Sequence, residues 1–464
     1  MRKLILTVIL GCFVARAYAQ SNLTLYNMEP IPQRLSVNPA LAPDCKWYLG
    51  MPALSSLDFA FASNALQFKA INEAFVPVAG TDSFVVDITK LGDALGGKQT
   101  FISVGLNQEW LNFGFRIRKS MFTFGITEKV KTRVGIPNDF IKLAFQGNGG
   151  RNLGYDFNFN FGLDVLHTRE FAVGYNRSLM DDRLRMGVRL KYVRGLNVIN
   201  TAKNDIVFRT NPGGFEYKVT ADIELNISSP LVLDSSDIDP VEFILGSPKN
   251  SGFGIDLGAS FELNDRITLT ASVIDLGVIK WKDNTRNIKS KNPGASFEYK
   301  GIDIKEYLGD SVKGGAGFEA LSDTLLDIFA LDTSETSFTT GLLGEFYIGG
   351  NFHINDKHNA GALFYGSFYN KQFYPALTLS WNSKFGRVLA LSATYSIMRG
   401  SYTNIGLGMG LNLGPEQFYF ASDNLIGIAT GNVKTLGIRF GWNHTVGRKK
   451  WENEQKEIKE NKDI

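Results

Sequence analysis

The chain carries almost no cysteine, little histidine, no surplus of either charge and, past its first residues, no long apolar run. Cys12 and Cys45 are the 2 cysteines in 464 residues. Cys12 falls in the leader described below, so the mature chain keeps one thiol and takes its stability from something other than disulfides. The histidines His167, His353, His358 and His444 share no short motif with Cys, Asp or Glu at metal-ligand spacing, so neither a metal nor another cofactor is called for. Lys+Arg 49 against Asp+Glu 46 leaves a net charge of +3, which argues against nucleic acid as a partner. No later segment approaches the roughly 18 uninterrupted apolar residues of a transmembrane helix, so a bilayer-spanning chain would have to cross as strands. No linker or Pro/Ser-rich hinge separates globular domains, and one large unit accounts for the length better than two or three.

What is present begins with "MRKLILTVILGCFVARAYAQ". Arg2 and Lys3 precede an apolar run from Leu4, and Ala17-Tyr18-Ala19 supplies small residues for cleavage. Residues 1–19 read as a secretory signal peptide. A lipoprotein signal ending at Cys12 is the competing reading, with an unusually short apolar run.

A period of two then dominates. In "RVLALSATYSIMRG", Leu389, Leu391, Ala393, Tyr395 and Ile397 alternate with Ser392, Thr394 and Ser396. The pattern recurs in "LNFGFRIR" from Leu111, "LRMGVRLKY" from Leu184, "RITLTASVI" from Arg266, "ALTLSWNS" from Ala376 and "LGIRFGWN" from Leu436. Such strands are two-faced, and alternation alone does not say whether the apolar face meets a core or lipid. Run length favours lipid, because membrane strands need about 9–11 residues where sandwich strands average about five or six. Abundant glycine and phenylalanine, 48 and 35 residues, suit close-packed strands and membrane-facing aromatics. Trp47, Tyr48, Tyr374, Trp381, Phe385, Tyr419 and Trp442 are placed to form interfacial girdles.

Short polar turns at Arg118–Ser120, Met180–Arg183, Asn264–Arg266, Asn355–Lys357, Ser383–Gly386 and Gly414–Glu416 alternate with long connections at 64–101, 135–169, 200–251 and 282–337. Outer-membrane barrels have this asymmetry, with tight periplasmic turns and long external loops. The scheme predicts an all-β fold, a transmembrane antiparallel barrel of about fourteen strands. Their spans are 47–63, 102–118, 120–134, 170–178, 184–199, 252–263, 266–281, 339–354, 358–369, 373–383, 387–399, 402–413, 416–422 and 434–447. Both termini then fall in the periplasm. Tyr155–Leu166 alternates too, and reads as a loop hairpin or an extension of the fourth strand.

Helical periodicity is confined to the long connections, from Asp82, Pro137, Asp239 and Phe318, where short helices would plug the lumen or cap the outer mouth. Residues 448–464 form a densely charged tail, read as solvated and periplasmic, with a docking role as the alternative. Residues 47–447 are left for the barrel.

Catalytic chemistry is not legible. "GLGMG" at Gly406–Gly410 alternates along a strand with no helix after it, so it lacks the context of a phosphate loop. Asp234, Asp237 and Asp239 do not have the spacing of a calcium loop. Parity does place Arg116, Arg118, Arg185, Arg189, Lys191 and Arg439 on the inward face. That stripe either favours anions in an open pore or pairs with inward carboxylates such as Glu262 and Glu345 in a closed one.

"LSVNPALAPDCKWYLGMPALSS" resembles the start of Bacteroidota outer-membrane barrels, including the PorP/SprF and PorV proteins of type IX secretion. "GIDLGASFELNDRITLTASVIDLGVIKW" and "GPEQFYFASDNLIG" resemble a related Bacteroidota barrel family with a domain of unknown function. The wider group is similar to FadL-type transporters. The resemblance implies that residues 20–46 fold into the lumen as a plug, anchored by Asn38, Pro39 and Ala40. It departs at the end, because the tail continues past the aromatic Trp442.

The reading is therefore a non-enzymatic outer-membrane barrel, a channel or FadL-like transporter for small or hydrophobic solutes, with anionic solutes favoured if the basic stripe lines an open pore. The alternative is a non-conducting scaffold that binds secretion-system, gliding or lipoprotein partners. A hydrolase would need Ser, His and acid residues converging on one rim.

Overall fold

Alternation builds a closed barrel. The computed structural model describes residues 22–64, 99–213, 216–230, 249–299, 327–369, 372–398, 401–430 and 434–448, with short pieces between 73 and 90. Fourteen antiparallel strands form the wall. β1 is Trp47–Gly50 continued by Ser56–Ser63, β2 Gln99–Ile117, β3 Ser120–Pro137, β4 Gly162–Leu179 and β5 Leu184–Thr210. β6 is Ser251–Asn264, β7 Ile267–Trp281, β8 Phe338–Gly341 continued by Glu345–His353, β9 His358–Tyr369 and β10 Gln372–Phe385. β11 is Leu389–Met398, β12 Ser401–Leu413, β13 Glu416–Ser422 and β14 Thr435–Val446. β1 pairs with both β2 and β14, Trp47 facing Phe115 on one side and Val446 on the other, and this closes the ring.

The two faces answer the question the sequence raises. On β11, Ser392, Thr394 and Ser396 are buried, whereas Tyr395 is 40% exposed on the outside. Leu190, Phe253, Ile348 and Leu379 likewise stand exposed on the outer wall. An apolar exterior around a polar interior inverts the globular pattern and is stable only where lipid is the outer solvent. Near the short-turn end the exterior carries stacked aromatics, Phe115 on Phe122 at 5.5 Å and Phe418 on Trp442 at 5.4 Å. Trp381 and Phe385 are exposed at the same level. Tyr48, Tyr374 and Tyr419, expected in the interfacial girdles, are buried and face inward. Parity overrides their position at strand ends: Tyr48 fills the space a side chain at Gly114 would occupy, with the tyrosine ring 2.4 Å from a Cβ built there.

The strands outgrow the membrane on the long-loop side. β5 runs 27 residues, well past the roughly 9–11 that a bilayer needs. Its outer half pairs with Tyr217–Ser228, which pairs in turn with Thr285–Ser290 and Ala295–Tyr299. β4 begins at Gly162 rather than near 170, so the end of the alternating Tyr155–Leu166 stretch, 162–166, extends that strand, preceded by the short Asp156–Asn158 strand on β5.

The helix read from Pro137 forms over Asn138–Gln146. None of its residues is buried, and Phe140 packs edge-on against Phe161 at 5.4 Å. The helix expected from Asp82 is overturned at Phe84–Val86, a strand paired with Phe75–Pro77, because β-branched Val85 and Val86 favour a hairpin over a short exposed helix; Lys90 is helical, and 82–83, 88–89 and 91–97 lie outside the described residues. The helix at 239–246, most of that from Phe318, residues 1–21 and the tail from 449 lie outside the described residues.

Candidate functional site

The N-terminal segment occupies the barrel interior. After a single turn, α1 (Leu23–Tyr26), and a 3-10 turn (Pro32–Ser36), it runs to Lys46 and enters β1. Its polar groups bond to strands all round the wall. Thr24 meets Asp423, the Tyr26 hydroxyl donates to Thr270 at 2.9 Å, and Gln33 donates to Asn443 at 2.7 Å. Asn176 donates to the Pro39 carbonyl at 2.8 Å, and Gln417 to that of Pro30 at 2.9 Å. Only a segment inside the ring can reach partners on so many strands.

Glycines make room for it. A Cβ on Gly187 would lie 2.2 Å from the Pro39 carbonyl, and one on Gly258 would lie 2.1 Å from Asn38 Oδ1. Asn38, Pro39 and Ala40 are all buried here, with the Asn38 side chain accepting from the Ala40 amide at 2.9 Å. On β12, Gly406, Gly408 and Gly410 of "GLGMG" form a second seat, against Thr24, Met28 and Ile31. Alternating glycines there allow close backbone approach, a role the sequence reading did not assign.

The inward wall has two characters. From β9 to β13 it is mostly uncharged, with Asn359, Thr378, Ser380, Asn382, Ser392 and Gln417 buried against or near the segment and Lys384 of β10 paired with Glu29 of the segment. The β1 to β8 side is ionic. There a cavity of about 70 Å³ opens beside Ser36 and Val37 of the segment, lined by Lys129, Lys131, Arg189, Lys191 and Arg439 together with Glu109, Glu170, Asp275 and Glu345.

Local backbone geometry assembles the charges. The β6–β7 register shifts after Ile255, and Asp275 sits in the left-handed region at φ 58°, which aspartate tolerates. Ile274 and Asp275 are consequently both buried, one among apolar groups of the segment and the other among lysines. Asp256 accepts the Asp275 amide at 2.8 Å and pairs with Lys191 at 2.7 Å. Lys191 also pairs closely with Asp275, and Lys129 bridges Glu170 at 2.8 Å and Asp275 at 3.0 Å.

The six residues of the expected basic stripe part company here. Arg189 and Lys191 meet Asp256, and Arg439 lies 3.6 Å from Asp58 and 3.4 Å from the Ser36 hydroxyl. Arg116 is spent on the segment, donating to the Pro43 carbonyl at 2.7 Å and that of Cys45 at 3.3 Å. Arg185 is half-buried on the inward face of β5. Arg118 is not in the lumen: it is exposed in the β2–β3 turn at φ 52°, because the two-residue turn ends the alternation one position earlier. Of the two carboxylates expected to face the stripe, Glu345 pairs with Lys131 at 3.6 Å, while Glu262 is exposed near the short-turn end. Lys129, Lys131, Glu170, Asp256 and Asp275 were missed. The signal for the two aspartates was the word "IDLG", which occurs twice and places an aspartate in an otherwise apolar run at 256 and again at 275.

Among the described residues no group of three or more His, Cys, Asp or Glu is placed to hold a metal ion. His167 and His444 bond to Glu128 and Glu416, whereas His358 meets Ser383 on another part of the wall.

A family model covers residues 39–423, most of the described barrel. The chain belongs to the family of unknown function DUF5723. Comparison with curated proteins finds no match. Among solved structures it is similar to the toluene transporter TbuX of Ralstonia pickettii, with 9% identity and a TM-score of 0.41 over 91% of this chain and 100% of that one. It is also similar to a FadL homologue of Pseudomonas aeruginosa, with 11% identity and a TM-score of 0.40 over 94% and 99%. For the P. putida toluene transporter TodX the values are 10% and 0.38 over 88% and 90%.

Proposed function

We propose that this protein is an outer-membrane channel for small polar solutes, with both termini on the periplasmic side and the N-terminal segment as its inner plug. The observation that carries the reading is the ionic cavity of about 70 Å³ beside the segment. A barrel that served only as a scaffold would gain nothing from leaving charged groups around empty space, since buried charges are costly unless paired or hydrated. The lining also bears on the solute. An apolar molecule would strip water from lysines and carboxylates, and so is a poor occupant. A preference for anions is not expected either, because the lysines and arginines are met by carboxylates.

Planar-bilayer conductance tests this, comparing the mature chain with one lacking residues 20–46. Small or rare steps in the first and large steps in the second, with weak ion selectivity, are the expected result. Silence from both in a folded barrel would overturn the channel. Weight would then move to the scaffold, for which the external sheet built on the outer half of β5 offers the docking surface.

A further inference from the structure

Strand β3 turns three basic side chains into the lumen in succession, and each reaches a strand that is not its neighbour. Lys129 meets Asp275 on β7 at 3.0 Å, and Lys131 meets Glu345 on β8 at 3.6 Å. Arg133 donates to the Tyr374 hydroxyl on β10 at 3.2 Å. The three contacts form a bar across the lumen. Lys131 lines the ionic cavity on one side of it and a second cavity, of about 70 Å³, with Arg133 on the other. A solute passing between the two cavities must therefore pass Lys131.

The central contact is the loose one. Lys129 is clamped by two carboxylates, whereas the Lys131–Glu345 pair is long and both of its side chains keep more than a fifth of their surface accessible. Separating that pair leaves two opposite charges facing each other across the passage. An anion would satisfy Lys131 and leave Glu345 without a counter-charge. A cation would do the reverse. A neutral molecule would satisfy neither. A solute carrying both an ammonium and a carboxylate replaces each partner of the pair, so no charge is left uncompensated.

Resting on the channel reading above, we infer that Lys131 and Glu345 select zwitterionic solutes, of the amino-acid or short-peptide class. The test is uptake into proteoliposomes of the full chain, using four probes of similar size: glycylglycine (zwitterion), N-acetylglycine (anion), glycine methylamide (cation) and N-acetylglycinamide (neutral). Glycylglycine should enter about tenfold faster than the other three. Lys131→Met should shift the preference toward the cation, and the near-isosteric Glu345→Gln toward the anion. Because Glu345→Gln removes charge without volume, it remains informative if Lys131→Met fails to fold. Entry of all four probes at similar rates, or an unchanged ranking in the variants, would overturn the selectivity and leave the channel standing. Entry of none into liposomes bearing folded wild type would overturn the channel itself.

Discussion

The backbone amide of Thr24 donates to Asp423 Oδ1 at 2.7 Å, joining residues 399 positions apart. Thr24 is also held through its hydroxyl, 2.9 Å from that of Thr394 and 3.1 Å from the Ser422 carbonyl. The first turn of the inner segment is thus tied to the end of β13. Asp423→Ala would leave the buried Thr24 amide without its acceptor, a cost of about 1–3 kcal/mol. Limited proteolysis in micelles should then cut the segment faster, with the barrel itself intact. Asp423→Asn keeps an acceptor oxygen and should behave nearly as wild type. Equal cleavage of the alanine variant and wild type would show that the segment is held elsewhere.

Gly187 makes a sharper test, because the atoms it accommodates are backbone. A Cβ there would sit 2.2 Å from the Pro39 carbonyl and 2.6 Å from the Ala40 amide nitrogen, neither of which can turn aside as a flexible side chain would. Gly187→Ala should strain the Asn38–Ala40 turn by about 1–3 kcal/mol, the usual cost of overpacking. Raised conductance and faster proteolysis of the segment are the expected readouts. Gly149→Ala, whose Cβ would meet nothing within 4 Å and whose φ of −95° any residue adopts, is the matched control and should change neither.

How far the sequence could be read follows from the range over which each feature is encoded. Period two, turn residues and strand length are local, so the alternation of Ser392, Thr394 and Ser396 with Leu391 and Tyr395 could be assigned to two solvents before any pairing was known. Parity also placed Arg189, Lys191 and Arg439 inward. Tyr48, Tyr374 and Tyr419 were misplaced when position near a strand end was allowed to outweigh that same parity. Phe84–Val86, read as part of a helix, is a strand for another reason: Val85 and Val86 satisfy a strand as well as an apolar helical stripe. Nothing local tells Lys131 that Glu345 stands opposite. The two meet because the ring closes with β3 and β8 facing across the lumen, which depends on the strand number of the whole barrel.

Glu29 gives the segment a dependence on pH. Its carboxylate pairs closely with Lys384 and accepts from Asn359 Nδ2 at 3.1 Å. Burial pushes its pKa up, but Lys384 and then Arg34 outweigh burial and hold the carboxyl below its ordinary value. A lowered folded-state pKa means that stabilisation is fully present above the unfolded value, about 4.3 for glutamate, and is lost as pH falls through the folded one. Protection of the segment from protease should hold at neutral pH and decline below about pH 4. Glu29→Gln should weaken protection at neutral pH and flatten the decline. A wild-type profile in that variant would show that other carboxylates control the response.

Cys45 separates two readings of Arg116. The thiol is 1% exposed and packs with Leu35, Ala42, Tyr48 and Met121, and burial pushes its pKa up to about 12. The thiolate is the reactive form, so maleimide should label folded protein far more slowly than unfolded protein at pH 7.5, in a chain whose Cys12 is absent or replaced by serine. Arg116 holds this end of the segment by donating to the carbonyls on either side of Asp44. If that is its role, Arg116→Met releases the Pro43 and Cys45 carbonyls, exposes the thiol and raises the labelling rate, with little change in ion selectivity. Were Arg116 instead a pore cation, the same substitution would move selectivity away from anions and leave Cys45 as slow as before. Both quantities can be measured on one preparation, and they move in opposite combinations under the two roles.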